Sequence, residues 1–201
     1  MTAGTSAQKK ALLRQQLRQK RRQLSSYQQR QASQKLCQRL SKLISYQRAK
    51  HIALYWPSDG EIDPSPLLSQ ALSAGKHCYF PVISEQGTLA FKRFSPRNRQ
   101  RKNRFGITEP SRFSKNCHAK QLDLVFLPLV GFDRRGARLG MGGGFYDKTF
   151  AWKHKHQRRK PQLVGLAHHI QEVNGLTVDS WDIPLIAIAT DRETINAQQS
   201  L

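Results

Sequence analysis

Acids are scarce in this chain, so each one beside a ligand-shaped turn carries information: 13 Asp and Glu stand against 34 Lys and Arg. The stretch that could do chemistry is Gly131-Phe132-Asp133-Arg134-Arg135-Gly136-Ala137-Arg138-Leu139-Gly140-Met141-Gly142-Gly143-Gly144-Phe145-Tyr146-Asp147. Four of the five positions from Gly140 to Gly144 are glycine. An apolar run, Leu122 to Val130, leads in, and a helix-compatible segment leads out from Phe145 towards Lys155. A strand, a glycine-rich turn and a helix start form the setting in which backbone N–H groups hold a phosphate. Glycine lets the backbone approach a ligand and adopt positive φ. The spacing matches neither the P-loop, which ends in Lys-Ser/Thr, nor the dinucleotide fingerprint. A tight turn that binds nothing would use the same residues.

Three carboxylates can be set against this turn. Asp147 falls in the first turn of the following helix, where it could complement the helix dipole or hold Mg²⁺ beside a nucleotide. Asp182 precedes the last apolar run and could supply a second Mg²⁺ carboxylate, or be an ordinary loop acid. Glu61 follows a strand and could accept hydrogen bonds from an amino-substituted heterocycle, with Trp56 stacking on the ring. An ordinary loop acid beside a half-buried Trp fits the same residues. His154 and His156 are two apart, do not share a helix face, and read as surface residues. His168 and His169 carry no assignment. Cys37, Cys78 and Cys117 show no zinc or C-x-x-C spacing and read as reduced thiols.

The elements that must position these groups follow from pattern. Residues 1–6 read as loose. Ala7 to Leu24 lacks Gly and Pro and reads as a helix. Leu13 and Leu17 can face inward, while Lys10, Arg14, Arg18 and Arg21 share another face, where like charges repel unless an anion intervenes. Ser25 and Gln28 form a capping-box signature for a second helix reaching about Ser45. His51 to Trp56 reads as a strand, Asp63-Pro64 as the start of a helix to Ala74, and His77 to Phe80 as a second strand ended by Pro81. That βαβ unit implies a parallel sheet. Leu89 to Phe94 reads as an outer strand. The polar stretch from Ser95 to Gln121 holds one ordered-looking piece, Gly106-Ile107-Thr108-Glu109-Pro110. Gln162 to Ala167 and Leu185 to Thr190 read as further strands. The fold class is therefore α/β, a single domain over residues 1–201 with an open, mostly parallel sheet flanked by helices. Such sheets bind ligands at strand carboxyl ends.

The 201 residues allow one ordinary domain with a real core. No apolar run approaches the ~20 residues of a membrane helix, and the N-terminus lacks a signal-peptide core, so a cytoplasmic location is expected. The formal charge of +21 points to polyanionic partners. Thirteen Lys and Arg precede Asp59, the first acid. Further basic runs are Arg97, Arg99, Arg101, Lys102 and Arg104, and Lys153 to Lys160. Solvated basic faces would account for them equally well.

Leu127-Pro128-Leu129-Val130-Gly131-Phe132-Asp133, Gly136-Ala137-Arg138-Leu139-Gly140 and Gly142-Gly143-Gly144-Phe145-Tyr146-Asp147, in this order, resemble the signature of the 5-formyltetrahydrofolate cyclo-ligase (methenyltetrahydrofolate synthetase) family. The Lys10 to Arg14 helix start, the Glu61 turn, Phe105 to Pro110 and Asp182 extend the resemblance over most of the chain. It implies a three-layer fold like that of sugar-phosphate isomerases and CoA transferases. It also implies an ATP- and Mg²⁺-dependent enzyme that phosphorylates the formyl oxygen of 5-formyltetrahydrofolate and closes the ring to 5,10-methenyltetrahydrofolate, releasing ADP and phosphate. By resemblance, Lys10 and Arg14 contact ATP phosphates, as does the loop Arg138, Leu139, Gly140, Met141, Gly142, Gly143, Gly144, Phe145 and Tyr146. Met141 to Phe145 also line the folate site, with Glu61 and Trp56 as pterin anchor. Asp147 and Asp182 hold Mg²⁺, and Arg138 and Asp147 are the catalytic pair. Position 141 is often Arg or Tyr in the family, and position 145 is usually Tyr. Met141 therefore leaves a role to be taken up by Arg138 or Lys148, and Phe145 lacks a hydroxyl. The expected partners are ATP and a folate that can carry a polyglutamate tail, acting on a monomer. The alternative is a nucleic-acid-binding protein on the same scaffold, against which stands the lack of aromatics within the basic runs. A phosphosugar-type isomerase would leave the carboxylates and the basic helix unexplained.

Overall fold

The structure is a computed structural model that describes residues 5–97, 100–102, 106, 108–111, 114–156 and 160–197. Positions 1–4, Arg99, Arg104, Phe105, Ile107, Arg158 and Arg159 lie outside the described residues, so those parts of the terminal, basic-run and motif readings are not addressed by it.

The chain opens on α1 (Ser6–Arg22). Thr5 and Ser6, expected to be loose, are instead its start: the Thr5 hydroxyl accepts from Gln8 N–H, and the Gln8 side chain accepts from Thr5 N–H. That reciprocal cap satisfies two otherwise orphaned donors. The same box at Ser25 and Gln28 starts α2 (Ser26–Leu40). The single helix expected to reach Ser45 breaks at Ser41, and a short α3 (Ile44–Arg48) follows.

Strand β1 is His51–Ala53, shorter than expected: Leu54 N–H still donates to the Tyr79 carbonyl at 2.9 Å, and the ladder ends ahead of Pro57, which has no N–H to donate. Asp63 Oδ1 accepts from Ser65 N–H as α4 (Ser65–Ser73) begins, and Gly75 at φ +72° follows its end. Strand β2 (His77–Ile83) runs through Pro81 instead of stopping there. Its pairing with β1 ends at Tyr79, so no β1 carbonyl awaits an N–H from position 81. Next come β3 (Leu89–Arg93), β4 (Gln100–Lys102), β5 (Thr108–Pro110) and β6 (Asn116–Cys117).

The apolar run yields β7 (Leu124–Pro128). Between it and the glycine loop stands a hairpin that the strand–turn–helix reading lacked, β8 (Gly131–Phe132) with β9 (Arg138–Leu139). Helix α5 spans only Phe145–Phe150 and continues as a 3₁₀ turn to His154. The chain finishes with β10 (Gln162–Leu166), β11 (Ala187–Ala189) and β12 (Thr194–Asn196).

The main sheet has eight strands in the order β12-β11-β10-β7-β1-β2-β3-β6. Its centre is parallel and both margins turn antiparallel. One face is covered by α2 and α4, whose Leu36, Leu40 and Leu67 share a core cluster with Phe126 of β7. The other packs Phe91, Phe132, Phe150 and Ile188. A smaller cluster, Leu17, Val130, Leu139 and Leu176, fixes α1 to the hairpin. Leu17 is buried as expected, and Leu13 packs beside it. All three cysteines are buried free thiols. Burial pushes Cys37 and Cys78 up to about 11, which leaves them inert as nucleophiles at neutral pH.

Candidate active site

A cavity of about 530 Å³ opens at the carboxyl end of the central strands, a size suited to a small-molecule site. Every candidate site residue from the sequence lines it: Lys10 and Arg14 of α1, Trp56 and Glu61 after β1, the run from Arg138 to Asp147, and Asp182.

The glycines are needed for different local reasons. Gly142 and Gly144 have φ of +98° and +63°, a region costly for other residues. A Cβ on Gly143 would lie 2.6 Å from the Phe145 ring. Gly140 would meet nothing within 4 Å. Arg14 secures the loop, since its Nε donates to the Gly140 carbonyl at 2.8 Å. Its guanidinium carbon is 3.7 Å from where a Gly142 Cβ would lie. Because α5 has a single turn and a half, its dipole adds little, and α1 supplies most of the positive charge here.

Three of the four cations on the basic face of α1, Lys10, Arg18 and Arg21, pair with carboxylates of the protein, while Arg14 donates to the Gly140 carbonyl. Lys10 Nζ is 2.5 Å from Asp179 Oδ2. Arg18 Nε is 2.7 Å from Asp59 Oδ2, and Arg21 and Arg22 pair with the same carboxylate. Although burial opposes it, Arg18, Arg22 and Arg21 together hold the Asp59 carboxyl down at about 2.

Arg138 is nearly buried and donates to the Ile183 carbonyl and to Asp147. Burial lowers its affinity for a proton, and the charges of Asp147 and Asp182 oppose this. Asp147 also accepts from Ile183 N–H at 3.2 Å. Arg138 therefore has little freedom to take over a role at position 141. Lys148, the other candidate for that role, does not line the cavity, whereas Arg14 does. Asp182 Oδ2 accepts from Asp179 N–H at 2.9 Å, which ties the two acids into one turn. Asp147 and Asp182 are hard oxygen donors beside a cationic wall. That is the chemistry of a site that shares Mg²⁺ with phosphate oxygens, so the residues fit this ion.

Glu61 is almost buried, with Ser58 N–H donating to it at 3.1 Å. Burial pushes its carboxyl up to about 7, against the pull of Arg21 and Ser58. Trp56 has one face covered by Phe80, with centroids 4.2 Å apart and planes 10° from parallel. Its indole Nε1 is buried without a hydrogen-bond partner among the described residues. Tyr146 is half-buried and its phenol is raised well above the ordinary range, first by burial and then by Glu61. Met141 is 49% exposed at the mouth.

Several cavity residues escaped the sequence reading. Glu109, within the ordered-looking piece, is buried in the wall, and Arg101 Nη2 is 3.8 Å from it. Asp179 and the exposed Trp181 border the mouth. The acid count gave a signal for Asp179, but only the fold puts it against Lys10. His154 and His156 are exposed as expected, while His168 is buried, with Nε2 3.2 Å from the Gly60 carbonyl.

The model of the 5-formyltetrahydrofolate cyclo-ligase family matches residues 6–191. The chain belongs to this family. The cyclo-ligase of Haemophilus influenzae is 40% identical over 187 residues, covering 91% of this chain and 98% of that one. The Escherichia coli K12 cyclo-ligase is 40% identical over 178 residues, covering 87% and 96%. In three dimensions the chain is similar to the 5,10-methenyltetrahydrofolate synthetase of Aquifex aeolicus, with a TM-score of 0.81, 31% identity and coverage of 96% and 94%. The synthetase of Mycoplasma pneumoniae gives 0.72, 26%, and 90% and 98%. As a cyclo-ligase the chain is an enzyme of folate one-carbon chemistry in a family that uses ATP as co-substrate, on the α/β fold expected. Nothing in these similarities supports the nucleic-acid-binding alternative. No helix among the described residues is long and apolar enough to cross a membrane.

Proposed function

We propose that this cavity transfers the γ-phosphoryl group of ATP to the formyl oxygen of 5-formyltetrahydrofolate and then closes the ring. The supporting observation is that one cavity joins two chemically distinct walls. Lys10, Arg14 and the glycine loop form a cationic wall with accessible backbone, and Trp56, Glu61 and Tyr146 form a ring-shaped wall with one carboxylate.

The formyl oxygen of an N-acyl group leaves poorly, and phosphate leaves well. Once the oxygen is phosphorylated, N10 attacks the formyl carbon, loses its proton, and expels inorganic phosphate. The products are 5,10-methenyltetrahydrofolate, ADP and phosphate. Lys10 and Arg14 offset phosphate charge as the nucleotide binds, which is the main contribution a protein makes to phosphoryl transfer. Asp147, aligned by Arg138, and Asp182 would hold Mg²⁺, whose charge neutralises phosphate oxygens when it is bound. Glu61 would accept from the adjacent N–H groups of the pterin ring, with Trp56 beside it in the cavity lining. Polyglutamate tails on the folate and action as a monomer belong to the same reading, as does a cytoplasmic setting.

The test is to mix the protein with 5-formyltetrahydrofolate and Mg·ATP and follow the methenyl product by its near-UV absorbance, with ADP measured in parallel. One ADP per methenyl product is expected. Absence of product at every substrate level would overturn the proposal.

A further inference from the structure

Behind Glu61 lies an ionic network that the reaction as described does not use. Arg21 is fully buried. Its Nε donates to the Asp59 carbonyl at 2.8 Å, its Nη2 to Asp59 Oδ2 at 2.9 Å, and its Nη1 to the Leu129 carbonyl at 3.3 Å. The same Nη2 is 3.8 Å from Glu61 Oε1. One guanidinium thus joins α1, the end of β7 and the turn that carries Glu61.

The turn is held tightly around it. Asp59 adopts φ +52°, unusual for a residue with a side chain. Gly60, at φ +75°, packs so closely on α1 that a Cβ would lie 3.3 Å from the Arg21 carbonyl oxygen. His168 also reaches this turn, with Nε2 3.2 Å from the Gly60 carbonyl. A conformation this strained persists only where its surroundings over-determine it, and such sites cluster at functional positions.

We propose that Arg21 and Asp59 are a positioning pair for the folate subsite: Arg21 aims Glu61 into the cavity, and Asp59 takes up the Arg21 charge that would otherwise lock Glu61 into an ion pair. This rests on the reading of Glu61 as the pterin anchor. Two carboxylates compete for one buried guanidinium, and Asp59 holds the short contact. Glu61 keeps one backbone N–H and the margin of Arg21, so its acceptor oxygens stay available to a ligand. The groups that face Glu61 are Arg21 and Arg18 from α1, Asp59 from its own turn, Tyr55 from the segment after β1, and Tyr146 from α5. Of these, Arg21 and Arg18 favour its ionised form and Asp59 opposes it.

Three variants test the pair through KM for 5-formyltetrahydrofolate between pH 5.5 and 8.5, with KM for ATP as internal reference. Wild type is expected to lose folate affinity as pH falls through about 7, because Glu61 then loses its charge. Asp59→Asn keeps an acceptor oxygen and releases Arg21 to Glu61, so the midpoint should move at least about one pH unit to the acid side. Arg21→Lys cannot reproduce the fork and should raise folate KM about tenfold or more while ATP KM stays within twofold. An unmoved midpoint in Asp59→Asn overturns the inference, as does an equal rise of both KM values in Arg21→Lys. Should Arg21→Lys fail to fold, Asp59→Asn decides alone. Glu61→Gln separates the two readings. If it removes the pH step while Asp59→Asn leaves the midpoint fixed, the pair fails and the anchor stands. If Glu61→Gln leaves folate KM unchanged, both are overturned.

Discussion

Substituting Gly143 by alanine is the sharpest test of the loop geometry. The added methyl would lie 2.6, 2.9 and 3.3 Å from three Phe145 ring carbons, and ordinary contact begins near 3.4 Å. About 0.8 Å of movement is therefore needed, taken up by the ring or by the loop. Phe145 cannot yield freely, because it packs on the core of this sheet face and begins α5. Overpacking of this kind costs about 1–3 kcal/mol. For a chain of this size that corresponds to a fall in melting temperature of roughly 3–10 °C. If the strain goes into the loop instead, a displacement of this order in a reacting site costs about 10²-fold in rate. Thermal unfolding without ligands and initial rates of methenyl product formation should together register the change in at least one of the two. Gly140→Ala is the comparison, since it meets no protein atom within 4 Å, and its ligand-free melting temperature should match wild type. A Gly143→Ala protein that melts within a degree of wild type and turns over at the wild-type rate would refute the steric argument.

Glu61→Gln should have opposite effects on stability and binding. The folded-state value of about 7 lies above the ordinary 4.5, so the unfolded chain releases this proton first. The stability linked to the protonated form is present at low pH, is lost as pH rises from 4.5 through 7, and amounts to about 3 kcal/mol. Glu61→Gln should therefore melt several degrees higher than wild type at pH 8 and equally at pH 4, by calorimetry, while weakening folate binding about tenfold or more at pH 8. Asp179→Asn removes a carboxylate that competes with phosphate for Lys10. Since both side chains are partly exposed, the gain in ATP affinity should be about two- to fivefold in a nucleotide titration, and weaker binding would refute the competition. Met141→Arg places a charge at an exposed mouth position and should preserve or raise turnover. A dead variant would show that the mouth of this cavity cannot take the larger cationic side chain.

What could be read from the sequence depended on the range of the interactions involved. The βαβ unit, the capping boxes and the apolar β7 rest on neighbours within a few residues, and they came through with shifted ends. The cavity-lining candidates came from a long ordered motif, and all of them face one space. Local pattern failed where partners are distant. Arg21 has the type and spacing of a surface residue, and it is buried because Asp59, 38 positions away, receives it. Lys10 and Asp179 are 169 positions apart. The β8–β9 hairpin and β12 have strands of two or three residues, too short to show a period. The glycine loop looked like a direct strand-to-helix turn because that hairpin was invisible.

Helix α1 ends up serving both walls of the cavity. Lys10 and Arg14 point at the proposed phosphate side, and Arg21 stands behind the proposed pterin anchor. At about 1.5 Å per residue the helix is a rod of about 25 Å, and Lys10 and Arg21 are separated by about 16 Å along it. On that proposal the rod would act as a gauge that presets the span between phosphoryl donor and acceptor before either arrives. Inserting one residue at the exposed Gln15–Gln16 would turn one end by about 100° against the other. Each half of the cavity would keep its own contacts and lose its alignment with the other.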